Sequence, residues 1–339
     1  MTTEDQDDSS KEEFTNRINK QKGRISSEFI EETKYLSKTQ KDSWNENGFI
    51  LIPNFYPESK CEEINQTVID IVRSMVDNSE EFNHAYIDDG HIGIREMKPP
   101  VKIENIEDEM SKVFRLHQKG IFNEFIKRED LLDMLQDILG ENIDCFLSQF
   151  IFKNPGAWGQ PWHQDSSYFP FDRAPQVGAW LATSPATEEN GCLVILPGSH
   201  KEPLHEHLPD DRPGSNYGYT EIKDHDFSKE TPLLLQSGDL LLFHSFLMHK
   251  SFDNKSKHRR TAMVYHFAET GTNFGEIDSP TNEWISVALL FTIQRHWRNV
   301  LSLQHIKILE IGQFSVVKGV ICPKSARGGG IGRHFVGIE

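Results

Sequence analysis

Cysteine is scarce in this 339-residue chain: Cys61, Cys145, Cys192 and Cys322 are all there are, and no two form a CxxC pair. That scatter argues against a disulfide framework or a cysteine zinc site and points to reduced thiols. Long apolar runs are missing as well. The longest, around Ile285–Ile293, falls far short of the ~20 residues that a membrane-crossing helix needs. Residues 1–13 are mostly acidic and polar, so no charged-then-apolar leader is read there. The final Val336-Gly337-Ile338-Glu339 is not a Ser-Lys-Leu type signal. Positive charge is in deficit, with a formal net charge of -16, which disfavours nucleic acid and anionic membranes as partners. The expected setting is cytoplasmic, with a small-molecule substrate as partner and the oligomeric state left open.

What is present is a chain with 37% hydrophobic and 26% charged residues, enough for a substantial core with polar tails. Residues 1–40 are rich in Asp, Glu, Lys and Ser and read as an acidic, disordered extension. Residues 41–285 read as the folded domain. It opens with an apolar strand at Gly48–Pro53 and a helix over Lys60–Val76, where Ile64, Val68, Ile71 and Val72 recur at helical spacing. Further helices are expected over Glu107–Gln118 and Leu131–Leu139. From Asp144 the period changes to short β-branched and aromatic runs: Phe146–Phe152, Trp162–Tyr168, Val177–Thr183, Leu193–Leu196, Leu233–Leu235, Leu240–Phe243 and Thr261–Phe267. Many short strands behind a helical layer predict a mainly β sandwich or barrel braced by helices. Residues 286–339 are net basic, with a possible helix over Ile285–Glu310. They end in a glycine run, Gly328–Gly332, that lacks the Lys-Ser/Thr of a phosphate loop.

Two segments carry the chemistry: Trp162-His163-Gln164-Asp165, and Met248-His249-Lys250-Ser251 followed by Arg260. On an extended strand His163 and Asp165 face the same way, while Gln164 faces the other. With His249 they can hold one metal ion, and two imidazoles with one carboxylate leave open positions for oxygen chemistry at iron. Arg260 offers a two-pronged donor for a carboxylate such as that of 2-oxoglutarate, and Ser251 can add a hydrogen bond. The same three ligands also suit a zinc-type hydrolase, which would not need Arg260. A structural or storage protein of similar fold, needing no metal, is a further alternative. Asn190-Gly191-Cys192 with His200 admits a nucleophilic cysteine, although a buried cysteine is the plainer account.

These motifs resemble the phytanoyl-CoA dioxygenase family of non-haem iron, 2-oxoglutarate-dependent oxygenases. The matching stretches are Gly48–Phe55, Phe152-Lys153, His163-Gln164-Asp165, Trp180, Glu189–Leu193, Pro197–His200, Gly238-Asp239 and His249-Lys250-Ser251 with Arg260. They run over about residues 42–285. The resemblance implies a double-stranded β-helix (jelly roll, cupin-like) with N-terminal helices packed on one sheet. It implies Fe(2+), 2-oxoglutarate and O2, used to hydroxylate a small hydrophobic or acyl substrate with release of succinate and CO2, or else a non-catalytic relative that binds iron and 2-oxoglutarate. Residue by residue, it carries the iron ligands to His163, Asp165 and His249, and the cosubstrate contacts to Arg260 and Ser251. Further pocket positions fall on Lys112, Trp180 and Gln149. Tyr168, Phe169, Phe171 and the loop Glu202–Asp226 are expected to shape the substrate side.

Overall fold

Ser37 caps the first helix, α1 (Lys38–Asn47): its hydroxyl accepts the Gln40 N–H at 3.3 Å while Gln40 Oε1 accepts the Ser37 N–H at 2.9 Å. Gly48 ends the helix at φ 83°, a left-handed conformation natural to glycine, and a Cβ there would sit 2.5 Å from His200 Nδ1. The chain then enters β1 (Phe49–Ile52) and the long α2 (Glu58–Asn78). The structure, a computed structural model, describes residues 22–26, 29–78, 91–96, 103–169, 171–212, 219–273 and 285–287, residues 16 and 19, and short strands at 80–82, 85–88, 315–317 and 320–322.

Strands β2 (Glu80–Phe82), β3 (Ala85–Asp88), β4 (His91–Arg95) and β5 (Met110–Phe114) precede α3 (Gly120–Ile126) and α4 (Glu129–Leu139). After them come β6 (Ile143–Lys153), β7 (Val177–Ala182), β8 (Leu193–Ile195), β9 (Leu208–Pro209) and β10 (Thr220–Glu221). The domain finishes with β11 (Thr231–Leu233), β12 (Leu240–His244), β13 (His249–Ser251), β14 (Arg260–Glu269) and β15 (Ile285–Ser286). A large antiparallel sheet runs β1-β12-β7-β14-β6-β5-β4-β3-β2, with β15 also on β6; a smaller sheet runs β11-β8-β13.

Alternation along the strands gives the large sheet two apolar faces. Leu181, Leu242, Met263 and Tyr265 point outward and pack with Ile64 and Val68 of α2, Phe125 of α3 and Leu135 of α4. Phe125 stacks on Tyr265 with ring centroids 5.0 Å apart. Trp180, Leu241, Ala262 and Val264 point the other way and share a cluster with Leu193, Ile195 and Leu233 of the small sheet. Each such aliphatic side chain contributes about 1.5–3 kcal/mol by leaving water. The result is the expected mainly β jelly roll with helices on one sheet.

Local expectations fare unevenly. The helix expected over Glu107–Gln118 is instead a short turn at Ile106–Asp108 followed by β5, whose Lys112 pairs with Ile151 of β6. An available sheet edge outweighs weak helical propensity there. The strand expected over Trp162–Tyr168 is reduced to a bridge between His163 and His249, and Asp165–Ser167 form a 3-10 turn. Ser167 Oγ donates to the Gln164 carbonyl at 2.8 Å, the local side-chain bonding that draws serine out of strands. Leu36, within the segment read as extension, is buried in the helical core, and the Leu36 N–H donates to Asp137 Oδ2 at 2.6 Å. The helix suggested over Ile285–Glu310 begins instead as β15, and its remainder lies outside the described residues, as does the glycine run. A second compact unit, Ile293–Glu339, contributes the antiparallel pair β16 (Ser315–Val317) and β17 (Val320–Cys322). Among the described residues no helix is long and apolar enough to cross a membrane.

Candidate active site

His163 sits beside β13, exchanging backbone hydrogen bonds of 3.0 Å each way with His249. The 3-10 turn that follows swings Asp165 back toward both rings. Asp165 Oδ1 lies 3.4 Å from His163 Nε2 and 3.6 Å from His249 Nε2, and the imidazole centroids are 4.1 Å apart. All three side chains are buried, and their ligand atoms can lie within 4.8 Å of one another, close enough to hold one metal ion. The convergence expected of them is present, although a turn and not strand alternation produces it.

Backbone carbonyls orient both rings. His163 Nδ1 donates to the Pro161 carbonyl at 2.8 Å and His249 Nδ1 to the Leu247 carbonyl at 2.9 Å. Because a carbonyl only accepts, the hydrogen resides on Nδ1 and the lone pair on Nε2; that of His163 meets the Gln160 Nε2 amide at 3.0 Å. Burial and then the neighbouring His163 push His249 down to about 4, so it stays neutral near pH 7. Burial opposes the charged form of Asp165, but His249, His163 and His266 outweigh it and hold the carboxyl well below its ordinary range.

His266 was not anticipated from sequence. Its Nε2 stands 3.0 Å from Asp165 Oδ2, so the carboxylate is gripped from behind while Oδ1 faces the two ligand rings. The clue was its even spacing from Arg260, which puts both on one face of β14.

Arg260 begins β14 and is almost fully buried, and burial lowers its guanidinium to about 10. Nη2 donates to the Gly191 carbonyl at 2.7 Å, whereas Nε and Nη1 are buried with no protein partner. The Trp180 ring lies 5.4 Å from the guanidinium, and its own Nε1 is likewise buried and unpartnered. Lys153, also missed, pairs with Arg260 in the β6–β14 register. Its ammonium donates to Ser251 Oγ at 2.7 Å and to the Phe252 carbonyl at 2.6 Å. Burial, then Arg260, pushes Lys153 far down. Ser251 Oγ also accepts the Gln160 N–H at 3.1 Å, so its own hydrogen is free to be donated. Arg260 and the amine of Lys153, both buried beside idle donors, can form a seat for an acid.

Gln149 pairs with Val264 and with Phe114, two strand steps from Lys153 on the same face; Lys112 pairs with Ile151 on that face, with its ammonium 4.9 Å from the Tyr219 ring. Tyr168 lies edge-on to His163 at 5.9 Å, and its hydroxyl is 3.0 Å from Thr220 Oγ1. Phe169 and Phe171 pack against Phe146, with Ile92, Phe114 and Leu147 in the same apolar cluster. Cys192 is buried, and its thiol is pushed up to about 11 by that burial, so it is no nucleophile at neutral pH.

A family model described as phytanoyl-CoA dioxygenase matches residues 44–262. The peroxisomal phytanoyl-CoA dioxygenase of Bos taurus is 28% identical over 277 residues, covering 80% of this chain and 80% of that protein. Among solved structures, EvdO2 from Micromonospora carbonacea var. aurantiaca complexed with 2-oxoglutarate is 18% identical with a TM-score of 0.53, covering 74% of this chain and 97% of that one. EctD from S. alaskensis in its apoform is 15% identical with a TM-score of 0.57, over 76% of this chain and 89% of that one. Both share the fold described above.

Proposed function

The chain belongs to the phytanoyl-CoA dioxygenase family and is a non-haem Fe(II)/2-oxoglutarate-dependent dioxygenase, and on that premise we propose that His163, Asp165 and His249 are its iron ligands. The observation that carries this reading is the paired Nδ1-to-carbonyl hydrogen bonds, which set both Nε2 atoms beside Asp165 Oδ1. Iron with 2-oxoglutarate and O2 supplies hydroxylation of an unactivated C–H bond, with succinate and CO2 as the other products.

The chain's own residues select and orient. Arg260 anchors the far carboxylate of 2-oxoglutarate through Nε and Nη1, the two donors that have no protein partner. Ser251 donates its hydroxyl hydrogen to the same carboxylate, held in that role by Lys153, whose Nζ donates into a Ser251 lone pair. Trp180 walls the seat and offers its Nε1, while Lys112 and Gln149 line the inner face nearby. His266 keeps Asp165 from turning away.

The substrate is a small hydrophobic or acyl compound. Phe114, Leu147, Phe169 and the partly buried Tyr168 form an apolar wall beside His266 and His163, which supports it. A cytoplasmic location accords with Cys61, Cys145 and Cys192 being buried free thiols. The folded oxygenase unit is taken as residues 41–285, flanked by extensions.

The test is succinate formation from 2-oxoglutarate across a metabolite panel with and without Fe(II). Turnover must require the metal, and must vanish in His163→Ala. Succinate release that survives this substitution overturns the ligand assignment. Cosubstrate binding with no succinate from any compound would favour the non-catalytic alternative, and hydrolysis indifferent to Arg260→Ala would favour a zinc-type hydrolase.

A further inference from the structure

Outside the His163, Asp165 and His249 group, a second set of metal-ligating side chains converges. Glu202 and His205 lie on the loop between β8 and β9, and His225 lies on the segment after β10. Glu202 Oε2 is 2.7 Å from His225 Nε2 and 3.2 Å from His205 Nε2. The two imidazoles meet edge to face with centroids 5.2 Å apart, and one ligand atom from each of the three residues lies within 4.8 Å of the others. All three are half-buried, so water has access to a remaining coordination position.

His225 narrows the possibilities. Its Nδ1 lies 3.1 Å from the Asp226 carbonyl, which can only accept, so Nδ1 carries hydrogen. With hydrogen on Nδ1, a bare Nε2 would face the Glu202 carboxylate 2.7 Å away. That arrangement is repulsive unless a cation, either a proton or a metal ion, stands between them. We propose that Glu202, His205 and His225 form a second divalent-metal site, distinct from the iron centre and suited to Zn2+. Two imidazoles, one carboxylate and a water make a tetrahedral donor set of the kind borderline ions prefer. The one carboxylate offsets half the charge of a divalent ion, and the two imidazoles complete the protein donor set.

The site has a mechanical consequence. Gln164, between His163 and Asp165, accepts the His205 N–H at 2.9 Å through Oε1, and its own N–H donates to His207 Nε2 at 3.0 Å. Gln164 Nε2 also donates to the Phe246 carbonyl at 3.0 Å. A metal joining residues 202–205 to residue 225 fastens the loop that braces the turn carrying Asp165. It acts as a clip, not as a second reaction centre.

The test uses the full chain with His163→Ala and His249→Ala, so that the first centre is disabled. Titration with Zn2+ is expected to give one bound equivalent, and Co2+ the visible absorption band of a low-coordinate site, with a raised Tm in each case. Adding His205→Ala and His225→Ala should abolish that equivalent, and Glu202→Gln should weaken it by about tenfold or more. In the unmutated chain, Zn2+ should shield His205 and His225 from diethyl pyrocarbonate, mapped by mass spectrometry, whatever the variants do to folding. Absent Zn2+ binding, binding indifferent to His205 and His225, or equal labelling with and without Zn2+ overturns the proposal and leaves a hydrogen-bonded cluster. None of these readings depends on iron at the first centre.

Discussion

His266 Nε2 lies 3.0 Å from Asp165 Oδ2, so the carboxylate that faces His163 and His249 is fixed by a residue of β14. His266→Ala should leave that oxygen unpartnered and lower the affinity for Fe(II), or for Co2+ as a probe, by about 10–100-fold. His266→Gln, which can still donate, should recover part of the loss. Metal titration of the three proteins checks this, and equal affinities would remove His266 from the site.

Arg260→Ala should raise KM for 2-oxoglutarate by roughly a hundredfold, the loss of one or two charge-assisted bonds of about 1.5–3 kcal/mol each. Arg260→Lys should rescue little, because an ammonium lacks the planar fork that Nε and Nη1 present. Metal binding should be unchanged in both. A normal KM in Arg260→Ala would contradict the proposed seat.

Gly159 approaches β13 so closely that a Cβ would fall 1.7 Å from the Ser251 carbonyl oxygen. The obstacle is backbone and cannot rotate aside, so Gly159→Ala must displace Ser251 or its own segment. The expected result is a lower Tm together with weaker 2-oxoglutarate binding. A variant matching the parent in both would show that the segment yields freely.

Acid should destabilise the fold through His244. Burial, then His200, lowers its pKa to about 3, and its Nδ1 accepts the Phe246 N–H at 2.9 Å, a bond that protonation destroys. Below the unfolded value of about 6.5 the unfolded chain takes up a proton that the folded chain refuses. Stability is therefore fully present above pH 6.5 and declines as pH falls toward 3, by at most roughly 1.4 kcal/mol per unit. Urea unfolding at pH 7 and pH 5 measures it, and His244→Asn should reduce the difference by this histidine's share.

The strands after residue 143 were legible because short apolar runs between turn residues mark strands buried on both faces: Val177–Ala182 and Leu240–His244 appear almost where those runs lie. Lys112 was misplaced on a helix, since its neighbourhood becomes a strand only by pairing with β6, a long-range choice that local pattern does not record. The pair His163 and Asp165 was found by a spacing that suggested a strand, yet a serine-rich turn delivers it. Lys153 and His266 escaped notice because each acts through register, beside Arg260 and behind Asp165, and register is invisible in a single sequence.

Arg260 and His266 share one face of β14. A single residue inserted between them would rotate one of the two to the helical side of the sheet, uncoupling the proposed carboxylate anchor from the brace behind Asp165. Two inserted residues would restore the facing but stretch the span by about 7 Å. The strand thus works as a fixed ruler between the Arg260 guanidinium and the His266 brace.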